Sequence, residues 1–366
     1  MLPSVGLELV HLSGLNRVAY NLVVSTQGST LTQRNGWAWC AVAAVLFGAA
    51  TPATKLIVDN VGAVTLAGLL YLGAAAAVAP FALRERRPVA SLQQRSRLLI
   101  AITFGGGVAP VLLVLALDRT PAATVSLLLN LELVATAVIA RLFLQEHIGR
   151  RTGFGIVIVV LGGVILAGAS DGGIAVGALL VAVTCVCWGT DNAITASLDS
   201  YSPSQITMAK GVVAGAVNVA LGLLLDDAPP VRFIVAALAI GALGYGMSIT
   251  MWITGARLVG AARGQVIFAL APCIGALLAW PINGEQPTRT VAVAFVVSLV
   301  GVLVVATSHH QHVHTHELGE HTHPIDTTDP HHAPEAIEVV AGSRHRHLTL
   351  VHEHDHLPDI HHRHAH

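Results

Sequence analysis

TPAATVSLLLNLELVATAVIARLFLQEHIGRRTGFGIVIVVLGGVILAG, residues 120–168, consists of two long apolar runs joined by a charged link at residues 145–151. The first run, from about residue 122 to residue 144, has the ~20 apolar residues that a helix needs to cross a bilayer. The second run, residues 156–169, is shorter, and residues 152–155 can extend it. The stretch therefore predicts two consecutive membrane-spanning helices.

The composition of the whole chain points to the same class of protein. Of the 366 residues, 54% are hydrophobic and only 11% are charged, whereas a soluble domain averages ~25% charged residues. The mean hydropathy is +0.68. Only an integral membrane protein fits these values, and the four cysteines lie in apolar runs, so no disulfide framework is implied.

Ten apolar spans follow one another from Trp37 onward. The predicted fold is all-α, with ten transmembrane helices at about residues 37–57, 61–83, 97–117, 121–144, 152–170, 174–197, 204–225, 231–256, 262–282 and 288–308. The chain then divides into a lead-in at 1–36, predicted to be disordered, a first repeat at 37–170, a second repeat at 174–308 and a tail at 309–366.

The two repeats match each other at a nearly constant interval. Glu146 in the first repeat is matched by Glu285 in the second, and Gly163 is matched by Gly301 at almost the same separation. Because five spans is an odd number, the two repeats must lie in the membrane in opposite orientations. Inverted repeats are typical of transporters, whose substrate site lies near the midplane between the halves.

The opening stretch resembles the EamA domain of the drug/metabolite transporter superfamily. The family pattern is an apolar helix with an Asn/Glu-Pro pair, a Glu that closes the helix and a glycine-rich helix, here Asn130, Glu132, Glu146, Gly162 and Gly163. The resemblance extends over about residues 37–308. It implies a secondary transporter of the plasma (inner) membrane with a small-molecule substrate. Leu133 stands where the family usually has proline, which weakens the case for the family's kink in this half.

Two polar residues inside the first apolar run are candidate substrate-binding residues. Asn130 and Glu132 point about 200° apart on a straight helix, because each residue turns it by ~100°. We favour a cavity position for Glu132, since a carboxylate in the middle of a span costs at least ~2.5 kcal/mol. For Asn130 the alternative is a hydrogen bond to a neighbouring helix, which we favour.

The sixth span carries a polar stripe at helical spacing that includes Trp188, Asp191 and Asn192. These three are further candidate substrate-binding residues. Gln265 in the ninth span is a weaker candidate, because it is the repeat equivalent of Ser126 in the fourth span. Asp191 is either a proton or cation site or a residue near the end of a span. Lys210 lies near a span end, where its ammonium group is predicted to reach the membrane interface.

Glycine and proline interrupt the third and eighth spans at matching positions. Such interruptions indicate either a binding site with hinges or close helix packing through small residues, and both interpretations stay open. The residues are Gly105, Gly106, Gly107, Pro110, Gly241, Gly244 and Gly246.

Histidine dominates the chain after Ser308, since eighteen of the twenty histidines lie in the segment 309–366. Such tracts are typical of metal-binding segments, and neutral imidazole suits zinc, nickel, cobalt and copper. The tail is too polar to pack a core, so we predict disorder without metal. The alternative is a pH-buffering tail. The predicted ligands are His310, His312, His314, His316, His321, His323, His345, His347, His352, His354, His356, His361, His362, His364 and His366.

The leading functional hypothesis is a secondary transporter that exports a small metabolite and carries a metal-binding tail. The alternatives are a divalent metal transporter for Zn, Ni or Co and a metal-responsive membrane protein that transports nothing. No Walker-type GxxxxGK[ST] motif is present, so transport would use an ion or substrate gradient. We expect no enzymatic activity, no nucleic-acid partner and no cofactor in the membrane domain, and we leave open whether the chain forms a homodimer.

Arginine is distributed unequally between the links, which predicts that both termini are cytoplasmic by the positive-inside rule. The even-numbered links hold Arg84, Arg86, Arg87, Arg95, Arg97, Arg150, Arg151, Arg257 and Arg263, and the odd-numbered links hold only Arg119, Arg232 and Arg289. A reporter fused after residue 340 is expected to be cytoplasmic, while a control fusion after residue 227 is expected to lie outside. An external location for the first fusion would overturn this topology.

Overall fold

The computed structural model describes most of the membrane region and parts of the tail. The described residues are 35–85, 90–144, 149–168, 172–195, 197–198, 200–259, 261–307, 311–316, 319–322, 337–341, 344–347 and 350–355. Residues 1–34 of the lead-in and Glu146 lie outside these ranges, whereas residues 35 and 36 are helical and not part of a disordered segment. Also outside are His310, His323, His356, His361, His362, His364 and His366.

The described residues contain ten helices that are long and apolar enough to cross a membrane, which confirms the predicted fold. They are α1 (Asn35–Lys55), α2 (Ala63–Ala82), α3 (Leu92–Arg119), α4 (Ala122–Phe143), α5 (Arg150–Gly168), α6 (Ala175–Thr195), α7 (Pro203–Leu225), α8 (Val231–Ala256), α9 (Val266–Asn283) and α10 (Arg289–Ala306). Helix α3 begins earlier than predicted, because Ser91 accepts a hydrogen bond from the Gln94 backbone and caps a polar first turn.

Matching backbone irregularities confirm the duplication. Helix α3 contains a π-helical segment at Ile102–Val108, and α8 contains one at Gly241–Met247, the equivalent position of the second repeat. Helix α4 is interrupted by a turn at residues 129–130, and a corresponding turn at residues 269–270 precedes the main part of α9. The two five-helix repeats therefore share their distortions as well as their lengths.

Two pairs of equivalent helices pack against each other through glycine. Between α2 and α7, a Cβ added at Gly68 would press on the Gly215 carbonyl and the Val219 backbone. Between α5 and α10, a Cβ at Gly155 would press on Val305 and on the Gly301 carbonyl. Small residues let helix backbones approach closely in membranes, so each pair holds the two repeats together.

The first helix of each repeat packs on the fourth helix of the other repeat. Gly48 in α1 contacts the Ala271 carbonyl and Gly275 of α9, and Gly189 in α6 contacts Ala135 and Thr136 of α4. The repeats are thus interleaved, and the residues of α4 and α6 come together near the centre of the bundle.

A carboxylate from the second repeat caps a helix of the first. Helix α9 ends at Asn283, Gly284 takes a left-handed conformation with φ of 67°, and Glu285 follows. Its two oxygens accept hydrogen bonds from the backbone N–H groups of Ala122, at 2.5 Å, and Ala123, at 2.9 Å. These are the first residues of α4, whose N–H groups have no partner within the helix.

The described tail backbone forms five short strands in two antiparallel sheets. Strands β1 (Gln311–His316) and β5 (Leu350–Asp355) pair with each other, and β4 (Arg344–His347) lies between β2 (Gly319–Thr322) and β3 (Ile337–Ala341). Sheets this small are marginal in water on their own. The short strands alone are thus not enough to hold the tail in one structure, and its disorder without metal stays a prediction.

Because α8 approaches α2 closely at Gly241, adding one methyl group there is predicted to destabilise the protein. A Cβ at Gly241 would overlap the Leu70 carbonyl, whereas nothing lies within 4 Å of a Cβ built at Gly168. We expect Gly241→Ala to lower the thermal unfolding midpoint of the detergent-purified protein, since overpacking costs about 1–3 kcal/mol. Gly168→Ala is the matched control and should unfold close to the wild type. Equal midpoints for the two variants would contradict the packing.

Candidate functional site

A buried ion pair joins α6 to α7. The Lys210 ammonium lies 2.7 Å from Oδ2 and 2.5 Å from Oδ1 of Asp191, and the two side chains are 13% and 9% exposed. Thr195, one turn after Asp191, donates to the same carboxylate at 3.1 Å. The predicted snorkelling of Lys210 is wrong, because its ammonium has a carboxylate partner inside the bundle.

Gly105 adjoins this ion pair, and its carbonyl oxygen accepts two side-chain hydrogen bonds. The Tyr71 hydroxyl donates from α2 at 2.6 Å, and the Trp188 indole donates from α6 at 3.1 Å. Gly105 lies in the π-helical segment of α3, where i→i+5 bonding interrupts the regular ladder. A Cβ at Gly105 would overlap the Asp191 carboxylate, so glycine is required for this contact.

A second carboxylate connects the two repeats nearby. Asn192 in α6 donates to Glu132 Oε1 in α4 at 2.9 Å and to the Thr136 hydroxyl at 3.4 Å. Glu132 is partly exposed and Asn192 is exposed. Asn192 directly follows Asp191 on α6, so its bond brings Glu132 to the part of α6 that carries the ion pair. Glu132 and Asn192 are therefore less buried than the Asp191–Lys210 ion pair. Together these four residues form the central polar cluster.

Helix α4 is interrupted where these residues lie. The backbone of Glu132 bonds to the Leu129 carbonyl and that of Leu133 to Asn130, each three residues back, which makes a tight turn. The helix is therefore interrupted here although Leu133 replaces the family's proline. The Cys185 thiol donates to the Leu128 carbonyl at 3.8 Å, which helps to satisfy a carbonyl that the interruption leaves free.

Asn130 lies on the buried side of this turn. Its amide donates to the Leu127 carbonyl at 3.0 Å and to Cys273 of α9 at 3.9 Å, and the residue is 3% exposed. This arrangement agrees with the interhelical contact favoured for Asn130, and it separates Asn130 from Glu132.

Aromatic rings from both repeats form a cluster beside the polar site. Phe47 lies 5.8 Å from Tyr245 and 5.1 Å from Phe268 between ring centroids, and Trp252 lies 5.8 Å from Phe268. Tyr71 lies 6.1 Å from Tyr245. Because Tyr71 also donates to Gly105, it connects this aromatic cluster, made of Phe47, Tyr71, Tyr245, Trp252 and Phe268, with the charged residues.

The predicted hinge glycines take part in both packing and the polar cluster. Gly106 packs on Ala214 and Lys210 of α7, and Gly244 packs on Ala50 of α1. The remaining members lie in or beside the two π-helical segments, at Gly107, Pro110, Gly241 and Gly246. Close packing therefore accounts for most of them, and the hinge role stays a prediction.

Some predicted site residues have side chains outside the described part of the structure. Gln265 is one of these, although its backbone belongs to the helix Ala261–Phe268. The tail histidines within the strands are described only by their backbone. Among the residues whose side chains are described, no group of three or more His, Cys, Asp or Glu could hold a metal ion.

Comparison with known proteins identifies the architecture. Residues 34–168 and 175–307 each match the EamA-like transporter family. The chain belongs to this family. An uncharacterized transporter of Methanothermobacter thermautotrophicus (strain Delta H) is 24% identical over 304 residues, covering 76% of this chain and 88% of that protein.

A crystal structure of a protein with no stated function shares the fold of this EamA-like transporter. The two structures superpose with a TM-score of 0.56 and are 18% identical in sequence. The matched region covers 73% of this chain and 97% of the other chain. The resemblance implied by the sequence is thus confirmed for family and fold.

Two central residues of this EamA-like transporter escaped the sequence analysis. Lys210 was assigned to the interface because of its position near a span end, although an acidic residue occurs on the preceding span at Asp191. That complementarity is the signal that could have identified the pair. For Tyr71, which lies in a uniformly apolar span, the sequence carries no comparable signal.

The buried ion pair predicts that a single substitution destabilises the protein more than a double substitution does. We expect Lys210→Met to lower the thermal midpoint strongly, because removing one partner of a buried pair costs about 3–5 kcal/mol. Combining it with Asp191→Asn should restore most of the loss. Asp118→Asn, which removes the exposed partner of Arg119, is the control and should change little. A Lys210→Met protein as stable as the wild type would show that the pair contributes nothing.

Proposed function

We propose that the chain is a secondary transporter that exports a small organic molecule with a cationic nitrogen and an apolar part. The observation that carries the proposal is the charge of the central cluster, in which the Lys210 ammonium is paired with Asp191 and Glu132 has only the Asn192 amide as its partner. These three groups have one negative charge in excess when all are ionised. An uncompensated charge inside a membrane protein is costly, so a substrate cation or a proton is expected to neutralise it.

The aromatic cluster supports the apolar part of the proposed substrate. Aromatic faces bind both apolar groups and cations, and Tyr71 places this surface beside the carboxylates. A site with apolar lining and few polar groups is typical of small-molecule recognition. The polar and aromatic clusters both draw residues from the two repeats, as expected of a site between inverted halves.

Glu132 is the group that we assign to energy coupling. It has an amide partner from Asn192, whereas Asp191 already has an ammonium partner. A carboxylate that takes either a proton or a substrate cation, but not both, couples the two movements in opposite directions. We place the protein in the plasma membrane with both termini cytoplasmic, and we assign it no enzymatic activity.

Transport by purified protein in liposomes tests the proposal. Counterflow of labelled amino acids and small amines is expected, with Zn²⁺ and Ni²⁺ influx as parallel assays. Metal influx without organic counterflow would replace the proposal by a divalent metal transporter. No flux of either kind across a broad panel would favour a membrane protein that binds metal and transports nothing.

Glu132→Gln is expected to abolish proton-coupled transport while the protein stays inserted and folded. The amide can still accept the hydrogen bond from Asn192 but carries no charge. Asp59→Asn, which changes an exposed carboxylate in the α1–α2 link, is the matched control. The measurement is counterflow rate against pH for both variants. Wild-type rates and pH dependence in Glu132→Gln would make Glu132 a structural residue.

We also propose that residues 309–366 bind several divalent transition metal ions per chain. The support is the density of imidazole ligands. Placed in the cytoplasm, such a segment would gather or sense metal beside the transporter. It requires no contact with the bundle, because the tail contains no apolar periodicity that would link it to the helices.

A chain ending at Ser308 should insert and fold normally but lose metal binding. Calorimetry with zinc on the full chain and on this truncation measures the difference. Ligation needs neutral imidazole, so binding should weaken as pH falls through the ordinary histidine pKa of about 6.5. Failure of the truncated chain to insert, or equal zinc binding by both proteins, would contradict this assignment.

A further inference from the structure

The register of β1 and β5 brings four histidines of the tail opposite one another. His312 pairs with His354, and His314 pairs with His352, in the antiparallel ladder. Residues directly opposite in such a ladder share a face of the sheet, as do residues two apart on one strand. The four histidines therefore occupy adjacent positions on one face, although the two strands lie far apart in the sequence.

The spacing of these positions suits a single ion. Opposed Cβ atoms are about 5 Å apart, and residues two apart on a strand are about 6.8 Å apart. The centre of the resulting rectangle is roughly 4 Å from each Cβ. Imidazole nitrogen suits zinc, nickel and copper, and four such ligands match the coordination number of zinc.

The three-stranded sheet does not offer an equivalent set among its described residues. There, His345 of β4 is opposed by His321 and Val339, and His347 is opposed by Gly319 and Ile337. The histidines of this sheet thus lack two complete opposed pairs.

We propose that His312, His314, His352 and His354 form one defined four-histidine site for a divalent transition metal ion such as Zn²⁺. This inference rests on the proposed metal binding by the tail and deepens it, because it singles out one set among many histidines. An ion in this site ties β1 to β5 and closes the segment between them into a loop. The tail then has one site of higher affinity and defined geometry, and its other histidines bind further ions more weakly.

The test uses the full chain in detergent with Zn²⁺ alone as the probe. The double variant His312→Gln/His354→Gln removes one opposed pair, and His345→Gln/His347→Gln removes the same number of histidines from the other sheet. We expect the first variant to lose the tightest zinc site, about one ion per chain, while the second keeps it. Equal effects of the two variants would overturn the four-histidine site and leave general metal binding by the tail intact.

A distance measurement provides an independent readout. Spin labels at residues 313 and 353, which are opposed in the same register, should come closer together when one equivalent of Zn²⁺ is added. The His312→Gln/His354→Gln variant should not respond. An unchanged distance in the unsubstituted tail would overturn the proposal. Absence of any zinc binding by the full chain would overturn both this site and the metal-binding role of the tail.

Discussion

The carbonyl oxygen of Gly105 determines how the centre of this bundle is built. In a lipid-surrounded protein each backbone polar group needs a partner within the protein. Pro110, five residues after Gly105, has no N–H to donate to this carbonyl. Its two donors, Tyr71 and Trp188, come from different repeats. The same glycine leaves room for the Asp191 carboxylate. One backbone atom therefore fixes the relative positions of α2, α3 and α6.

The two repeats share their backbone distortions but differ in the chemistry placed on them. When the two π-helical segments are aligned with each other, Lys210 corresponds to Tyr71 and Glu132 corresponds to Ala271. Ionisable groups of the central cluster thus lie mainly on α4, α6 and α7, and the aromatic rings lie mainly on α1, α8 and α9. Duplication therefore accounts for the shared backbone. Later sequence divergence accounts for the charged groups on one set of helices and the aromatic rings on the other.

Apolar length and periodicity were sufficient to predict the ten helices and their repeat, because crossing a bilayer imposes these features on every span. The partners of individual polar groups were not predictable in the same way. Lys210 binds a residue on another helix, and the interruption of α4 at residues 129–130 arises without proline. Both depend on how helices pack, which local sequence does not encode. Glu132 and Asp191 could nevertheless be selected as candidates, since a charged residue is conspicuous in an apolar span.

The bond from Glu285 to the start of α4 has a consequence for how such a protein can arise and assemble. A single repeat expressed alone would leave the first N–H groups of its fourth helix without the carboxylate that the other repeat supplies. These N–H groups gain their carboxylate only once the link after α9 has been synthesised. The cap of α4 is thus a property of the two repeats together and not of the first repeat alone.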